Sequence, residues 1–107
     1  MTTFDDREDR FENEFVHNAE IRFKVRARRD KLIGLWAAGK LGLDGTEAED
    51  YAATVVLADI EEPGDEDVFR KLRADLDGAR KPVSDEEIRG QLADLLPIAK
   101  AQFRAGT

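Results

Sequence analysis

Apolar residues recur at intervals of three and four along most of the chain. That spacing lines one face of a helix and suits no half-buried strand, so the chain reads as all-α. Local punctuation divides it. Thr3 with Asp6 forms a capping-box pattern at a first start. Gly42 and Gly45 mark a stop. Thr46 with Glu49 forms a second capping box, opening a helix with Tyr51, Val55, Val56 and Ile60 as its apolar stripe. Pro63-Gly64 breaks that helix, and Asp65 is placed to cap a third, with Val68, Phe69, Leu72 and Leu76 on one face and Gly78 near its end. Ser84 with Glu87 is the clearest start, flanked by Val83 and Ile88 at the positions of a hydrophobic staple. The fourth helix then sets Ile88, Leu92, Leu95, Leu96, Ala99 and Phe103 at helical spacing, and Pro97 inside it is expected to kink or split it.

The first helical stretch is out of proportion. Residues 4–41 contain no proline, and as one helix they span roughly 57 Å at ~1.5 Å per residue, against about 32 Å for residues 85–105. The shorter helices cannot cover all of it. Its dense apolar part, Leu32, Ile33, Leu35, Trp36 and Leu41, belongs in a core. The part before about Ala19 is left to protrude, fold back or stay disordered in the free chain. Phe4, Phe11 and Phe15 form a stripe there at spacings of seven and four, flanked by Arg7 and Glu8. Such a stripe is either a helix that enters a partner's groove or one that folds back on its own helices.

Charge layout limits function. The chain of 107 residues carries a net charge of -7 and no cysteine, which argues against general nucleic-acid binding and excludes disulfide scaffolds and thiolate metal sites. No apolar run reaches the ~20 residues of a membrane-spanning helix, and the opening residues have no basic and apolar leader, so a cytoplasmic protein is expected. Residues 4–14 hold six acids and two arginines; residues 22–31 hold six bases and one acid; residues 44–67 hold ten acids and neither Lys nor Arg. The basic run is expected to be a solvated helix face attracted to the acidic second and third helices.

No motif builds a convincing active site. Gly34, Gly39 and Lys40 have P-loop spacing, but Leu41 stands where a Ser or Thr hydroxyl would hold Mg²⁺, and the segment reads as helix. The glycines are expected to permit close helix packing, with Trp36 as a core anchor. Residues 59–70 put Gly64 at the sixth position of a calcium loop, but Arg70 occupies the twelfth, where a bidentate Glu is needed. His17 is the single histidine and Ser84 the single serine, so neither a metal-ligand set nor a Ser-His-Asp triad can be assembled persuasively. No metal, cofactor or catalytic residue is assigned.

Four stretches carry a resemblance: FDDREDRFENEF (residues 4–15), ARRDKLIGLWAAGKLGL (27–43), EEPGDEDVFRKLRADLD (61–77) and, more loosely, SDEEIRGQLADLL (84–96). Through them essentially the whole chain resembles the zeta subunit family of alphaproteobacterial F-type ATP synthases, natural inhibitors of ATP hydrolysis. The resemblance implies a four-helix bundle over residues 19–107 and an inhibitory segment over residues 1–18. That segment would insert at a catalytic αβ interface of the synthase head near the γ shaft, stopping hydrolytic rotation while permitting synthesis. The inhibitory role then falls on Phe4, Asp5, Asp6, Arg7, Phe11 and Phe15. The implied partners are the α, β and γ subunits of the head. The implied state is a free monomer in the cytoplasm, held near the inner membrane through the synthase, with no nucleic acid or membrane insertion. Two alternatives stay open on the residues alone: a helical adaptor for another protein, and a bundle that senses nucleotide weakly through its basic residues.

Overall fold

A computed structural model describes residue 13 and residues 15–106. The described residues are helical, with no strand among them: α1 (Ala19–Leu41), α2 (Gly45–Glu61), α3 (Asp65–Gly78) and α4 (Asp85–Arg104), preceded by a helical turn at residues 15–17. The capping box expected at Thr3 and Asp6 lies outside the described residues.

α1 does not continue upstream of Asn18 as one long helix, although the unbroken pattern suggests it. Asn18 is extended (φ -112°, ψ 106°), and its side-chain oxygen accepts from the amides of Glu20 and Ile21 at 3.0 and 3.1 Å. Those amides have no intrahelical carbonyl to reach, and a short amide side chain satisfies them better than another helical turn would. At the other end Gly42 takes a left-handed conformation (φ 82°). The Leu43 amide then reaches back to the Ala38 carbonyl at 2.8 Å, the closing bond of a Schellman motif.

The short link from α1 to α2 changes two further expectations. Gly45 opens α2 rather than ending α1, with Asp44 at the cap position, so Thr46 falls inside the first turn and caps nothing. Asp65 likewise does not cap α3. Gly64 holds that position at φ 144°, and the Asp65 carboxylate turns to arginines of α1. Ser84 does cap α4, accepting from the Glu87 amide at 3.1 Å, and Val83 and Ile88 both enter the core beside it.

Pro97 does not split α4, which runs unbroken to Arg104. The proline deprives the Ala93 carbonyl of its donor, but Ala93 and Pro97 both face solvent, where water can replace that bond.

α1 packs against the other three helices. The core joins Ile33 and Ala37 of α1, Val55 of α2, Val68, Leu72 and Leu76 of α3, the linker residue Val83, and Ile88 and Leu92 of α4. Burying each large aliphatic side chain contributes roughly 1.5–3 kcal/mol. Trp36 lies at the edge of this core, half-buried.

Gly34 sets the approach of α1 to α2: a Cβ there would lie 2.7 Å from the Ala52 Cα. Gly39, expected to act in the same way, has nothing within 4 Å of such a Cβ and faces solvent. The two glycines lie five residues apart and so on different faces of the helix. The α2 stripe is also rotated from its expected place. Ala52, Val55 and Asp59 are buried, while Ile60 is 49% exposed.

Candidate partner-binding surface

Of the stripe residues, Phe4, Asp5, Asp6, Arg7 and Phe11 lie outside the described residues. Phe15 is described, and it does not point away from the helices. Its ring is half-buried, with the Lys100 ammonium of α4 at 4.0 Å from the ring centroid. Val16 is 55% exposed and His17 is exposed beside it. The turn thus directs Phe15 inward and its two successors outward. Lys100 is a poor match for a purely apolar ring but a good one for the negative face of its π system.

The basic run of α1 begins just beyond Asn18 and does find its acids on α2 and α3. Arg26 donates to Asp59 at 3.0 Å and lies 3.6 Å from Asp65. Lys31 pairs with Glu49 at 3.4 Å. The run is not wholly solvated, however: Arg29 and Asp30 are buried at 1% and 0% exposure.

Arg29 spreads its guanidinium over three elements, donating to Asp30 at 2.9 Å, to Asp65 at 2.8 Å and to the Leu92 carbonyl of α4 at 3.2 Å. Burial opposes its charge, but the hydrogen bond to Asp65 and the nearby Asp30 carboxyl raise its pKa overall. Only a planar fork can serve three acceptors in these directions at once.

Asp30 and Asp59 meet across the α1–α2 interface. Asp30 Oδ2 is buried and receives no N–H or hydroxyl donor. Its neighbour is the Asp59 carboxyl, which takes the Gly64 amide at 3.1 Å and the Arg26 guanidinium at 3.0 Å. Two carboxylate oxygens can meet in a buried site only with a proton between them. Burial, reinforced by the hydrogen bond with Asp59, pushes Asp30 up to about 8 against the pull of Arg29. Burial would raise Asp59 as well, but the bond from Asp30, the Gly64 amide and Arg26 together hold it below the usual carboxylate range. The two shifts favour the proton on Asp30 and the charge on Asp59.

Arg26, Asp30 and Asp59 form the floor of a cavity of about 390 Å³ between α1 and α2. Phe23 and Ile60 stand at its mouth, 53% and 49% exposed, with Arg22 beside them. Ala19, the first residue of α1, also lines it, so the cavity opens next to the point where the N-terminal segment joins the helices. Its floor is neutralised from within, by Arg26 on Asp59 and the proton on Asp30. Among the described residues no group of three or more His, Cys, Asp or Glu could hold a metal ion. The arrangement supplies an apolar rim with a cation beside it, suited to contact with another protein.

The buried polar residues had a sequence signal. Val25, Arg29, Ile33 and Ala37 lie at successive intervals of four, and Ala52, Val55 and Asp59 follow the same helical face. Charged residues inside an apolar stripe mark burial, and Arg29 and Asp59 stand in such stripes.

No helix of the described residues is long and apolar enough to cross a membrane. No curated protein matches the chain. A solved solution NMR structure is 48% identical, covers 81% of this chain and 99% of its own, and superposes with a TM-score of 0.72. A family model described as ATPase inhibitor subunit zeta matches residues 1–102.

Proposed function

Because the chain belongs to the ATPase inhibitor subunit zeta family, we propose that it inhibits ATP hydrolysis by an F-type ATP synthase through its N-terminal segment, residues 1–18. The segment enters a catalytic αβ interface near the γ shaft and blocks hydrolytic rotation, while residues 19–107 remain outside as a helical body. The contacts fall on Phe4, Asp5, Asp6, Arg7, Phe11 and Phe15: the phenylalanines fill an apolar groove, and Asp5, Asp6 and Arg7 set its register through charge. The protein acts as a regulatory subunit, a free monomer in the cytoplasm that reaches the inner membrane only through the synthase.

The observation that carries this reading is the extent of the family match, which starts at residue 1 and takes in the whole phenylalanine stripe as well as the helical body. The independent start of α1 supports it. Asn18 caps the helix from within, so α1 needs no upstream turn to satisfy its Glu20 and Ile21 amides. The body therefore keeps its own start of α1 whatever the N-terminal segment contacts.

The test is ATP hydrolysis by the purified synthase head with the full-length protein, and with a full-length variant carrying Phe11→Ala and Phe15→Ala. Inhibition by the parent, lost in a variant that melts normally, supports the reading. Equal inhibition by both removes the stripe from the mechanism, and no inhibition by the parent overturns the function itself.

A further inference from the structure

We propose that Lys100 holds Phe15 in a self-docked position that must open before the N-terminal segment engages its partner, so that α4 sets the fraction of molecules competent to inhibit. The proposal rests on the inhibitory role assigned above to residues 1–18.

The geometry depends on the break at Asn18. Arg28 of α1 reaches Gln102 of α4 at 3.5 Å, so α4 near Gln102 lies beside the middle of α1. A straight continuation of α1 would carry residue 15 about 20 Å along the axis from Arg28, at ~1.5 Å per residue. The Phe15 ring nevertheless sits over Lys100, only two residues from Gln102. The chain therefore leaves the helical path at Asn18, whose side chain takes the Glu20 and Ile21 amides that a continuing helix would otherwise need to satisfy. Lys100 itself is half-buried and follows Ala99, which is fully buried.

The two uses of the ring exclude each other. A phenylalanine whose face lies on the Lys100 ammonium cannot also fill an apolar pocket in a partner. The apparent affinity is then the intrinsic affinity reduced by the open fraction. A partly exposed cation–π contact is weak enough to be displaced by a partner groove and strong enough to matter: its loss changes an equilibrium about two- to fivefold. Val16 stays 55% exposed in the docked position, available for a first encounter before Phe15 lets go.

The experiment compares full-length parent, Lys100→Gln and Lys100→Arg as inhibitors of ATP hydrolysis by the synthase head. NMR of the Lys100 ε-methylene protons in the parent and in Phe15→Leu accompanies it. Arginine keeps both the charge and the cation–π contact; glutamine keeps neither. The expected result is half-inhibition by Lys100→Gln at about two- to fivefold lower concentration, with Lys100→Arg close to the parent. The parent's upfield ring-current shift at Lys100 should disappear in Phe15→Leu. Inhibition by the parent with no gain in Lys100→Gln overturns the clasp and leaves the inhibitory reading standing. No ring-current shift in the parent also overturns the clasp, whatever the inhibition. Inhibition by none of the three overturns both.

Discussion

Asp30 and Asp59 meet across the α1–α2 interface with their carboxyls shifted in opposite directions, and their unequal surroundings set the sense of each shift. Asp59 has the Gly64 amide and the Arg26 guanidinium to hold its charge, whereas Asp30 has Arg29 alone and is fully buried. The pair ties α1 to α2 and, through Gly64 and the neighbouring Asp65, to the start of α3.

Replacing Asp30 with Asn should stabilise the protein at neutral and alkaline pH. The folded Asp30 carboxyl titrates at about 8 against an ordinary value of 3.8, so its contribution to stability is full below 3.8, declines as pH rises, and is lost above about 8. Asp59 acts in the opposite sense, being depressed, and its contribution is lost only as pH falls below the ordinary range. Asn donates to Asp59 and accepts from Arg29 without any proton to lose. Urea denaturation at pH 5, 7 and 9 should show a falling stability in the parent and a flatter profile in Asp30→Asn. A gain of ~1 kcal/mol raises Tm by ~4–8 °C in a domain of this size. A parent profile already flat from pH 5 to 9 contradicts the upward shift of Asp30.

Arg29 should be irreplaceable by lysine. It serves Asp30, Asp65 and the Leu92 carbonyl together, and an ammonium cannot reach all three. Arg29→Ala should cost about 3–5 kcal/mol, because it strands buried acceptors. Chemical denaturation of the alanine and lysine variants checks this; full rescue by lysine would show that charge alone is sufficient.

The two glycines of α1 should respond oppositely to alanine. Gly34→Ala drives a methyl to 2.7 Å from the Ala52 Cα, which is backbone and cannot swing away. The expected cost is about 1–3 kcal/mol. Gly39→Ala meets nothing within 4 Å and gains helix propensity, so stability should rise by up to ~1 kcal/mol. Thermal melts of the two variants separate these outcomes.

The cap at Asn18 should be measurable in isolation. Asn18→Ala removes the acceptor for the Glu20 and Ile21 amides and should cost ~1 kcal/mol, while Asn18→Asp should retain most of it. Amide hydrogen exchange at Ile21 is the local readout. Equal protection in parent and alanine variant would mean that α1 starts without help from this side chain.

Legible in the amino-acid order alone are the all-α class, the Gly42 stop, the Ser84 cap with its Val83 and Ile88 flank, and the apolar faces of α3 and α4. Each of these rests on groups within a few residues of one another, where spacing and side-chain chemistry suffice. The family resemblance was legible for the same reason, since it lies in contiguous stretches that the family match spans. The remaining features come from packing between helices. Periodicity states which residues share a face but not what covers it, so it could not show that Arg29 and Asp30 are buried, that Ile60 and Gly39 are exposed, or that Gly34 alone meets α2. The apolar pattern from Phe4 to Leu41 hid the break at Asn18, because a cap is a local competitor of the helix that leaves the pattern intact. The placement of Phe15 over Lys100 and the meeting of Asp30 with Asp59 join residues far apart in the chain. Such contacts exist only once the packed helices bring them together and exclude the water that would otherwise solvate each group separately.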